Sequence, residues 1–398
     1  MPTAEYIVIK GHGAISPLGC NPEIITQAYA GGQSGISLRS INEQLTPVGV
    51  LPASAEIALQ ALAYENKAYA ALDKSVLMAI YAARQAVKDA KWQNETDIGI
   101  NIGSSRGATG LFEQHLTTFI QTGSVSPAVS PVTTLGNISS WVANDLETSG
   151  PTISHSVTCS TALQALANGF AWLQSGMARR FLVGGAEAPL TSFTVAQMKA
   201  IGIYAPTQET AFYCRPHNQE RRNTFVLGEG AAVFALEKVK REPGEKSPEK
   251  EVILETVGFG FEKIKSKTGI SAAGLNFQRA IKQALTQAHS SEPIDLVVMH
   301  APGTVAGDAA ELTALKEIFG ESNLPIITSN KFLNGHTLGA SAALSLEYAL
   351  HILKEQQFLL LPYPNLISPK SPQSIKRILL TAAGFGGNAA AVLIRTNP

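Results

Sequence analysis

The chain repeats one order of strand-like and helix-like segments on either side of a charged stretch, and this repeat constrains the fold more than any other feature. The stretch, residues 238–251, reads KVKREPGEKSPEKE and interrupts the apolar pattern on both sides. A β-branched run opens each half, at residues 6–9 and 252–257. The repeat predicts a duplicated unit with an N-terminal half, 1–245, and a C-terminal half, 251–398. If the halves share a core, the charged stretch is instead a surface loop within one domain.

Matching helices and strands follow in each half. Apolar residues at three- and four-residue spacing predict helices at 75–91 and 275–289. Alternating strands and helices predict an α/β fold in which two sheets pack with shared helices between them. Segments 102–134 and 188–224 have no counterpart, so we expect insertions that roof a pocket or build an interface. The predicted strand pairs are 97–104 with 294–300, 152–158 with 325–329, 181–185 with 358–361, and 231–236 with 389–394.

Charge and cysteine content exclude several classes of protein. Lys and Arg number 31, as do Asp and Glu, so the net charge of +0 offers no overall field for nucleic acid or an anionic membrane. Charged residues make up only 16% of the chain, which indicates a large buried interface. We find no secretion signal and no membrane-spanning apolar run. Three cysteines without CxxC spacing exclude a disulfide framework and a cysteine zinc site, and favour a cytoplasmic, reducing setting.

Cys159 lies where a strand pattern turns into an apolar helix, within SVTCSTAL. The start of a helix presents free N–H groups and the positive end of the macrodipole, which would lower the pKa of a thiol. This placement predicts a nucleophile. The alternative is a small buried hydrophobic residue, the common state of a cysteine in a protein core.

Three further segments carry groups that could act with this thiol. His300 ends a buried strand pattern, and His336 lies between glycines in NGHTLGA, a sign of close approach to the backbone. Residues 384–387 read GFGG, a loop that could direct a backbone N–H at an oxyanion. Each alone is more often a core histidine or an ordinary turn, but together they predict one catalytic site.

The order and spacing of these segments resemble the β-ketoacyl-acyl-carrier-protein synthases, the elongating ketosynthases among the thiolase-like condensing enzymes. The resemblance covers essentially the whole chain. It implies a thiolase-like duplicated five-layered α-β-α-β-α fold, as a homodimer or a heterodimer. The matching segments are the turn at Cys159, the stretch from His300 through Gly303, Thr304, Gly307 and Asp308 to Glu311, Lys331 before Gly335-His336, the loop at Phe385, and Arg215-Pro216 followed by FVLGEG at 225–230.

The resemblance also implies a mechanism that needs no metal or organic cofactor. Cys159 would take the acyl chain from an acyl carrier protein, and His300 and His336, as neutral imidazoles, would stabilise the enolate formed when malonyl-carrier protein loses CO₂. The backbone N–H groups of Cys159 and Phe385 would hold the oxyanion. Lys331 would organise the field around the histidines rather than transfer a proton. The pantetheine arm would meet Thr304, Gly384, Phe385 and Gly386.

Acyl carrier proteins are acidic. An enzyme without net charge therefore needs a local basic face near its substrate tunnel to bind one. Arg215 matches a family position, and any other single candidate is equally an ordinary surface charge. The candidates are Arg215, Lys67, Lys74, Arg179, Arg180, Arg221 and Arg222.

Three positions depart from the family pattern and leave alternatives open. Pro302 replaces part of a Gly-Thr-Gly run, Ser345 stands where a glutamate partner of Lys331 is usual, and Ala383 replaces an aromatic residue. A degradative thiolase needs a second catalytic cysteine, which residues 383–388 lack. A non-catalytic chain-length partner subunit is a further alternative, although such subunits lack the cysteine nucleophile. The choice between fatty acid and polyketide or polyene synthesis stays open.

Overall fold

The computed structural model places twelve strands and twelve helices in the part of the chain it describes, residues 4–135, 137–208, 210–242, 248, 251–264, 269–288, 290–370 and 374–396. The strands are β1 (Ala4–Ile15), β2 (Ile36–Ile41), β3 (Gln44–Gly49), β4 (Gly99–Gly103), β5 (Thr152–Ile153), β6 (Arg180–Glu187), β7 (Gly230–Arg241), β8 (Val252–Phe261), β9 (Leu296–Val298), β10 (Ile326–Thr328), β11 (Arg377–Gly384) and β12 (Asn388–Thr396). The helices are α1 (Pro22–Gly31), α2 (Ala53–Glu65), α3 (Lys74–Asp89), α4 (Thr109–Thr122), α5 (Val129–Thr133), α6 (Asn137–Asp145), α7 (Thr161–Ser175), α8 (Ser192–Ala200), α9 (Leu275–Gln287), α10 (Val305–Phe319), α11 (Lys331–Asn334) and α12 (Ser341–Glu355).

The two halves contribute matching half-sheets to one ten-stranded sheet. From its centre outward the N-terminal half runs β1-β7-β6-β4-β5, and the C-terminal half runs β8-β12-β11-β9-β10 in the same relative order. The half-sheets join where β1 pairs antiparallel with β8, Val8 opposite Ile253 and Ile9 opposite Val252. Residues 238–241 of the charged stretch belong to β7, and its residues 243–247 and 249–250 lie outside the described residues. The division of the chain at this stretch stays a prediction.

Three layers of helices enclose the half-sheets, as the five-layered expectation requires. Helices α3 and α6 cover the N-terminal half-sheet, and α9 and α10 pack over the C-terminal one. Between them, α7 and α12 form the central layer, with Leu166 and Leu346 in its core. Because α7 begins just after Cys159 and α12 follows His336, this shared layer carries both segments to one place.

Some predicted segments differ from the observed ones. Residues 358–361 are not a strand, since side chains satisfy their backbone: the Leu359 N–H donates to Tyr348 Oη (2.7 Å), and the Leu359 carbonyl accepts from Thr328 Oγ1 (2.7 Å). The sequence analysis missed the actual strand, β11. Strand β5 is shorter than predicted, and residue 289 at the end of the predicted helix lies outside the described residues.

The insertion at 102–134 forms α4 and α5. No residue of α4 is buried, and its apolar residues Phe112, Leu116, Phe119 and Ile120 are exposed.

Within the described residues, no helix combines the length and the hydropathy that a membrane span requires.

Candidate active site

Cys159 lies in a tight turn that ends immediately before α7. Thr158 adopts a left-handed conformation, with φ of 52°, which is uncommon for a residue with a branched side chain. The Val157 N–H donates to Thr161 Oγ1 (2.9 Å) and so closes the turn. Backbone strain of this kind persists where the surrounding structure fixes a functional side chain.

The thiol opens into a cavity of about 260 Å³ that both halves line. His300 and His336 line the same cavity, so the structure brings the three predicted reacting groups together. Thr304, Gly384 and Phe385 also line it, whereas Gly386 and Lys331 do not. The other lining residues are Met198, Ile201, Ile203, Asn223, Phe225, Gly269, Ile270, Phe277, Pro302, Ala306, Gly307, Leu338 and Ala383.

The two histidines meet edge to face and are uncharged. Their ring centroids are 5.2 Å apart, with an interplanar angle of 89°. Burial lowers the pKa of His300 to about 3, with a further contribution from Lys331, and burial also holds the pKa of His336 far below its ordinary value. The Leu338 N–H donates to His336 Nδ1 (3.1 Å), so Nε2 carries the proton in the neutral ring. His336 therefore presents an N–H donor.

Two buried carboxylates fix the loop that carries His300. Glu311 accepts from the backbone N–H groups of residues 300 and 301, each at 2.8 Å, and from the Thr381 hydroxyl. Asp308 accepts from those of residues 303 and 304, at 3.2 and 3.1 Å. The two side chains one turn apart on α10 thus position the loop on both sides of Pro302.

Lys331 is buried beside the histidines, and its ammonium donates to neutral side chains. Nζ donates to Asn330 Oδ1 (2.9 Å) and to Ser345 Oγ (2.8 Å). Burial lowers its pKa to about 8. Glu347, the nearest acidic candidate in sequence, instead accepts from the Tyr29 hydroxyl. The lysine thus acts as a cation that disfavours protonation of both imidazoles.

Glu347 gives the protein a pH-dependent stability. Burial raises its pKa to about 7, above the value in an unfolded chain, so stability is lost as the pH rises between about 4.5 and 7. We expect Glu347→Gln to lack this loss. The free energy of unfolding of the variant should therefore rise relative to that of the parent by up to about 3 kcal/mol between the two ends of that pH range. Urea unfolding at pH 5 and pH 8 measures the change. Glu355→Gln, on the exposed end of the same helix, is the matched control, and identical pH dependence of Glu347→Gln and parent contradicts the expectation.

The turn between β11 and β12 packs against the nucleophile turn. Gly384 lies so close that an added Cβ would meet the backbone nitrogen of Cys159 at 2.9 Å. Asn388 fastens the turn, because its Oδ1 accepts from Ser160 Oγ (2.6 Å) and its Nδ2 donates to the Phe385 carbonyl (3.0 Å). Phe385 itself is 40% exposed at the cavity mouth. The sequence analysis did not identify Asn388, although a polar residue ending a glycine loop is a signal for such a contact.

The expected lowering of the thiol pKa is wrong for this structure. Burial raises the pKa of Cys159 to about 12, and the Glu187 carboxylate raises it further, while Arg106 and Lys331 oppose them. Desolvation outweighs the favourable helix end because the thiol faces an apolar cavity. Its proton must therefore leave during the attack, and His300 is the neutral imidazole of the cavity left to accept it, since Nδ1 of His336 accepts from Leu338 and Nε2 carries the proton.

Glu187 is a second residue that the sequence analysis missed. Its carboxylate is buried and accepts from Ser104 Oγ (2.8 Å) and from the backbone N–H groups of Ser105 (2.7 Å), Arg106 (3.0 Å) and Gly339 (2.9 Å). It therefore joins the loop after β4 to the turn that follows His336.

The predicted docking residues differ in whether a carboxylate pairs with their positive charge. Lys67 is exposed, Lys74 is paired with Glu56 and with Glu229 (2.8 Å), and Arg215 is paired with Glu220 (2.9 Å). Lys74 is thus a poor source of positive potential.

In the described ranges, no group of three His, Cys, Asp or Glu side chains is arranged to hold a metal ion.

Comparison with known proteins agrees with this geometry. The sequence-family model of the β-ketoacyl synthase N-terminal domain matches residues 4–242, and the sequence-family model of the C-terminal domain matches residues 253–362. A 3-oxoacyl-[acyl-carrier-protein] synthase 2 of Staphylococcus aureus is 28% identical over 99% of both chains. A putative polyketide β-ketoacyl synthase 1 of Streptomyces halstedii is 25% identical over 98% of both.

Solved structures confirm the thiolase-like fold. A β-ketoacyl synthase from Burkholderia phymatum superimposes with a TM-score of 0.83 at 22% identity, covering 99% of this chain and 100% of that one. The ishigamide ketosynthase/chain length factor gives 0.82 at 20% identity, with the same coverage. Since the two family models together match most of the sequence, the chain belongs to the β-ketoacyl synthase family.

Proposed function

We propose that the protein is a β-ketoacyl-acyl-carrier-protein synthase, which condenses a Cys159-bound acyl chain with malonyl-carrier protein in fatty acid or polyketide or polyene biosynthesis. The observation that carries the proposal is one cavity shared by Cys159, His300 and His336, with both imidazoles neutral. Membership of the family supports the same acyltransferase chemistry.

In the first step Cys159 attacks the thioester carbonyl of the acyl-carrier protein. The thiol proton passes through the imidazole of His300 to the departing pantetheine sulfur, and the acyl group becomes a thioester of Cys159. The backbone N–H groups of Cys159 and Phe385 stabilise the oxyanion, a role supported by the contact of Gly384 with the nucleophile turn. The pantetheine arm then lies against Thr304 and the loop at 384–386.

In the second step the malonyl group loses CO₂, and the electron pair of the broken C–C bond forms an enolate. His336, through its Nε2–H, and His300 donate hydrogen bonds to the enolate oxygen. Lys331 keeps both rings neutral and therefore able to act as bases or donors. The enolate carbon attacks the acyl carbonyl, Cys159 leaves as a thiolate that recovers a proton, and a β-ketoacyl thioester is released on the carrier protein.

The carrier protein and a second subunit are the proposed partners. Asn223 lines the cavity, and the exposed Arg221 and Arg222 directly precede it, so these two arginines are docking candidates at the rim. Arg215 and Lys67 stay docking candidates from the sequence. The exposed apolar face of α4 supports a homodimer or a heterodimer with a ketosynthase-like subunit. The free cysteines Cys20, Cys159 and Cys214 support a cytoplasmic location.

One observation favours a second candidate, a non-catalytic partner subunit. Lys331 is held by Ser345 and Asn330 and not by a carboxylate. A single experiment separates the two functions. We expect incubation with acyl-carrier proteins to add one acyl mass to Cys159, and malonyl-carrier protein then to release a product two carbons longer. A chain that neither loads nor condenses, alone or with a ketosynthase-like subunit, contradicts the proposed activity.

A further inference from the structure

A cation without a carboxylate partner lies beside the nucleophile. Arg106 is half-buried in the loop after β4, and its guanidinium donates to the neutral Gln197 Oε1 (2.8 Å). Among the described residues no carboxylate forms an ion pair with this guanidinium. The oxygens of Glu187 are occupied by a hydroxyl and by backbone N–H groups. Gln197 takes one of the five N–H donors of this arginine, so the others are available to an acceptor on a bound chain.

Two contacts connect Arg106 to the part of the cavity wall formed by Met198 and Leu338, here called the inner wall. Its partner Gln197 directly precedes Met198, which lines the cavity. Its own backbone N–H shares the Glu187 carboxylate with Gly339, the neighbour of the lining residue Leu338. The loop and this turn are in close contact, since a Cβ on Gly339 would lie 2.5 Å from the nitrogen of Ser105. Arg106 does not itself line the cavity, but its partners are the sequence neighbours of Met198 and Leu338, and its charge lowers the pKa of the Cys159 thiol against the larger effect of burial.

The chain bound to Cys159 must extend toward this wall. Phe385 lies exposed at the mouth, where the proposed function places the pantetheine arm. The acyl chain must then lie along the inner wall, where the flexible side chain of Met198 can move to make room for it. Beyond it an alkyl chain would meet a half-buried cation, whereas a chain with an oxygen atom would supply an acceptor for its remaining N–H groups.

We propose that Arg106 is a specificity-determining residue, which selects for Cys159 acyl chains that carry an oxygen acceptor over saturated chains of the same length. The proposal rests on the proposed function and deepens it by naming the class of acyl substrate. A hydrogen bond from a charged donor distinguishes chains with and without the acceptor by roughly tenfold to a hundredfold. Keto and carboxylate oxygens share this chemistry, and the substrates of the test distinguish them.

The test compares rates of Cys159 acylation by octanoyl-, 3-oxo-, 5-oxo- and 7-oxooctanoyl- and 7-carboxyheptanoyl-carrier protein, followed by intact-protein mass. We expect the parent to prefer at least one oxygenated chain over octanoyl by about tenfold or more, and Arg106→Met to bring that ratio near one. A preference for the oxo chains assigns a keto acceptor, and one for the carboxylate chain assigns an ion pair. Arg106→Lys, which retains the charge, should keep part of the preference. A purely structural arginine would slow all chains equally in both variants.

A second readout is independent of condensing activity. Iodoacetate and iodoacetamide alkylate the same thiol but differ in charge, and we expect Arg106→Met to lower the iodoacetate-to-iodoacetamide rate ratio at Cys159 several-fold. If chains load but neither the selectivity nor the alkylation ratio changes in Arg106→Met, this inference alone is overturned. If no acyl chain loads on the parent, the proposed function fails, and the selectivity falls with it even where the alkylation ratio depends on Arg106.

Discussion

Cys159→Ala is expected to reduce acyl loading by at least about a thousandfold, to a level at which intact-protein mass detects no adduct. The reason is geometric, since this thiol alone among the cysteines of the described chain lines the cavity with the two histidines. Decarboxylation of malonyl-carrier protein should continue in the variant, because His300 and His336 remain to stabilise the enolate. Release of CO₂ without condensation measures this separation.

The matched control is Cys20→Ala, which removes a buried thiol on the far side of β1 in the core with α3. It should load at the parental rate. Acylation of Cys159→Ala at another residue, with a chain that then condenses, would falsify the nucleophile assignment. Loss of loading in both variants would instead indicate that thiol removal disturbs the fold.

Much of the fold follows from local pattern, because most strands of the two half-sheets contain a short apolar run that is visible in the sequence. The error at residues 358–361 arises because the side chains of Tyr348 and Thr328, 11 and 31 residues from Leu359 in the sequence, form the hydrogen bonds that a strand partner would form. Strand β11 was missed for a related reason: its pattern RILLTAAG ends in small residues that continue into the glycine loop. Whether an apolar run becomes a strand depends on a neighbour that the run itself does not specify.

The candidate site divides in the same way. Cys159, His300 and His336 could be identified from the sequence, because each lies at a turn with a distinctive local pattern. Glu187 and Asn388 could not, since their partners lie 152 and 228 residues away in the sequence. The error in the thiol pKa has the same origin. The helix start is visible in the sequence, but the desolvation that outweighs it is created by residues from both halves.

The second large effect concerns His336, whose replacement by Ala should leave acyl loading largely intact but reduce malonyl decarboxylation and condensation by about a hundredfold or more. Loading depends on Cys159 and the loop at Phe385, whereas the enolate forms only against the imidazole N–H groups. Single-turnover loading by mass, followed by CO₂ release from malonyl-carrier protein, measures the two steps separately. Unimpaired condensation in His336→Ala removes this residue from the mechanism.

Two amide variants refine the assignment, because Leu338 fixes which nitrogen of His336 carries the proton. The amide nitrogen of Gln reaches about as far as Nε2, and that of Asn reaches about as far as Nδ1. If the Nε2–H is the donor to the enolate oxygen, His336→Gln should retain clearly more decarboxylation than His336→Asn, while both load normally. The opposite order would place the donor at Nδ1 and contradict the tautomer set by the Leu338 N–H. Equal loss in both would mean that the ring acts as a base and not as a donor, since an amide can donate a hydrogen bond but cannot accept a proton at neutral pH.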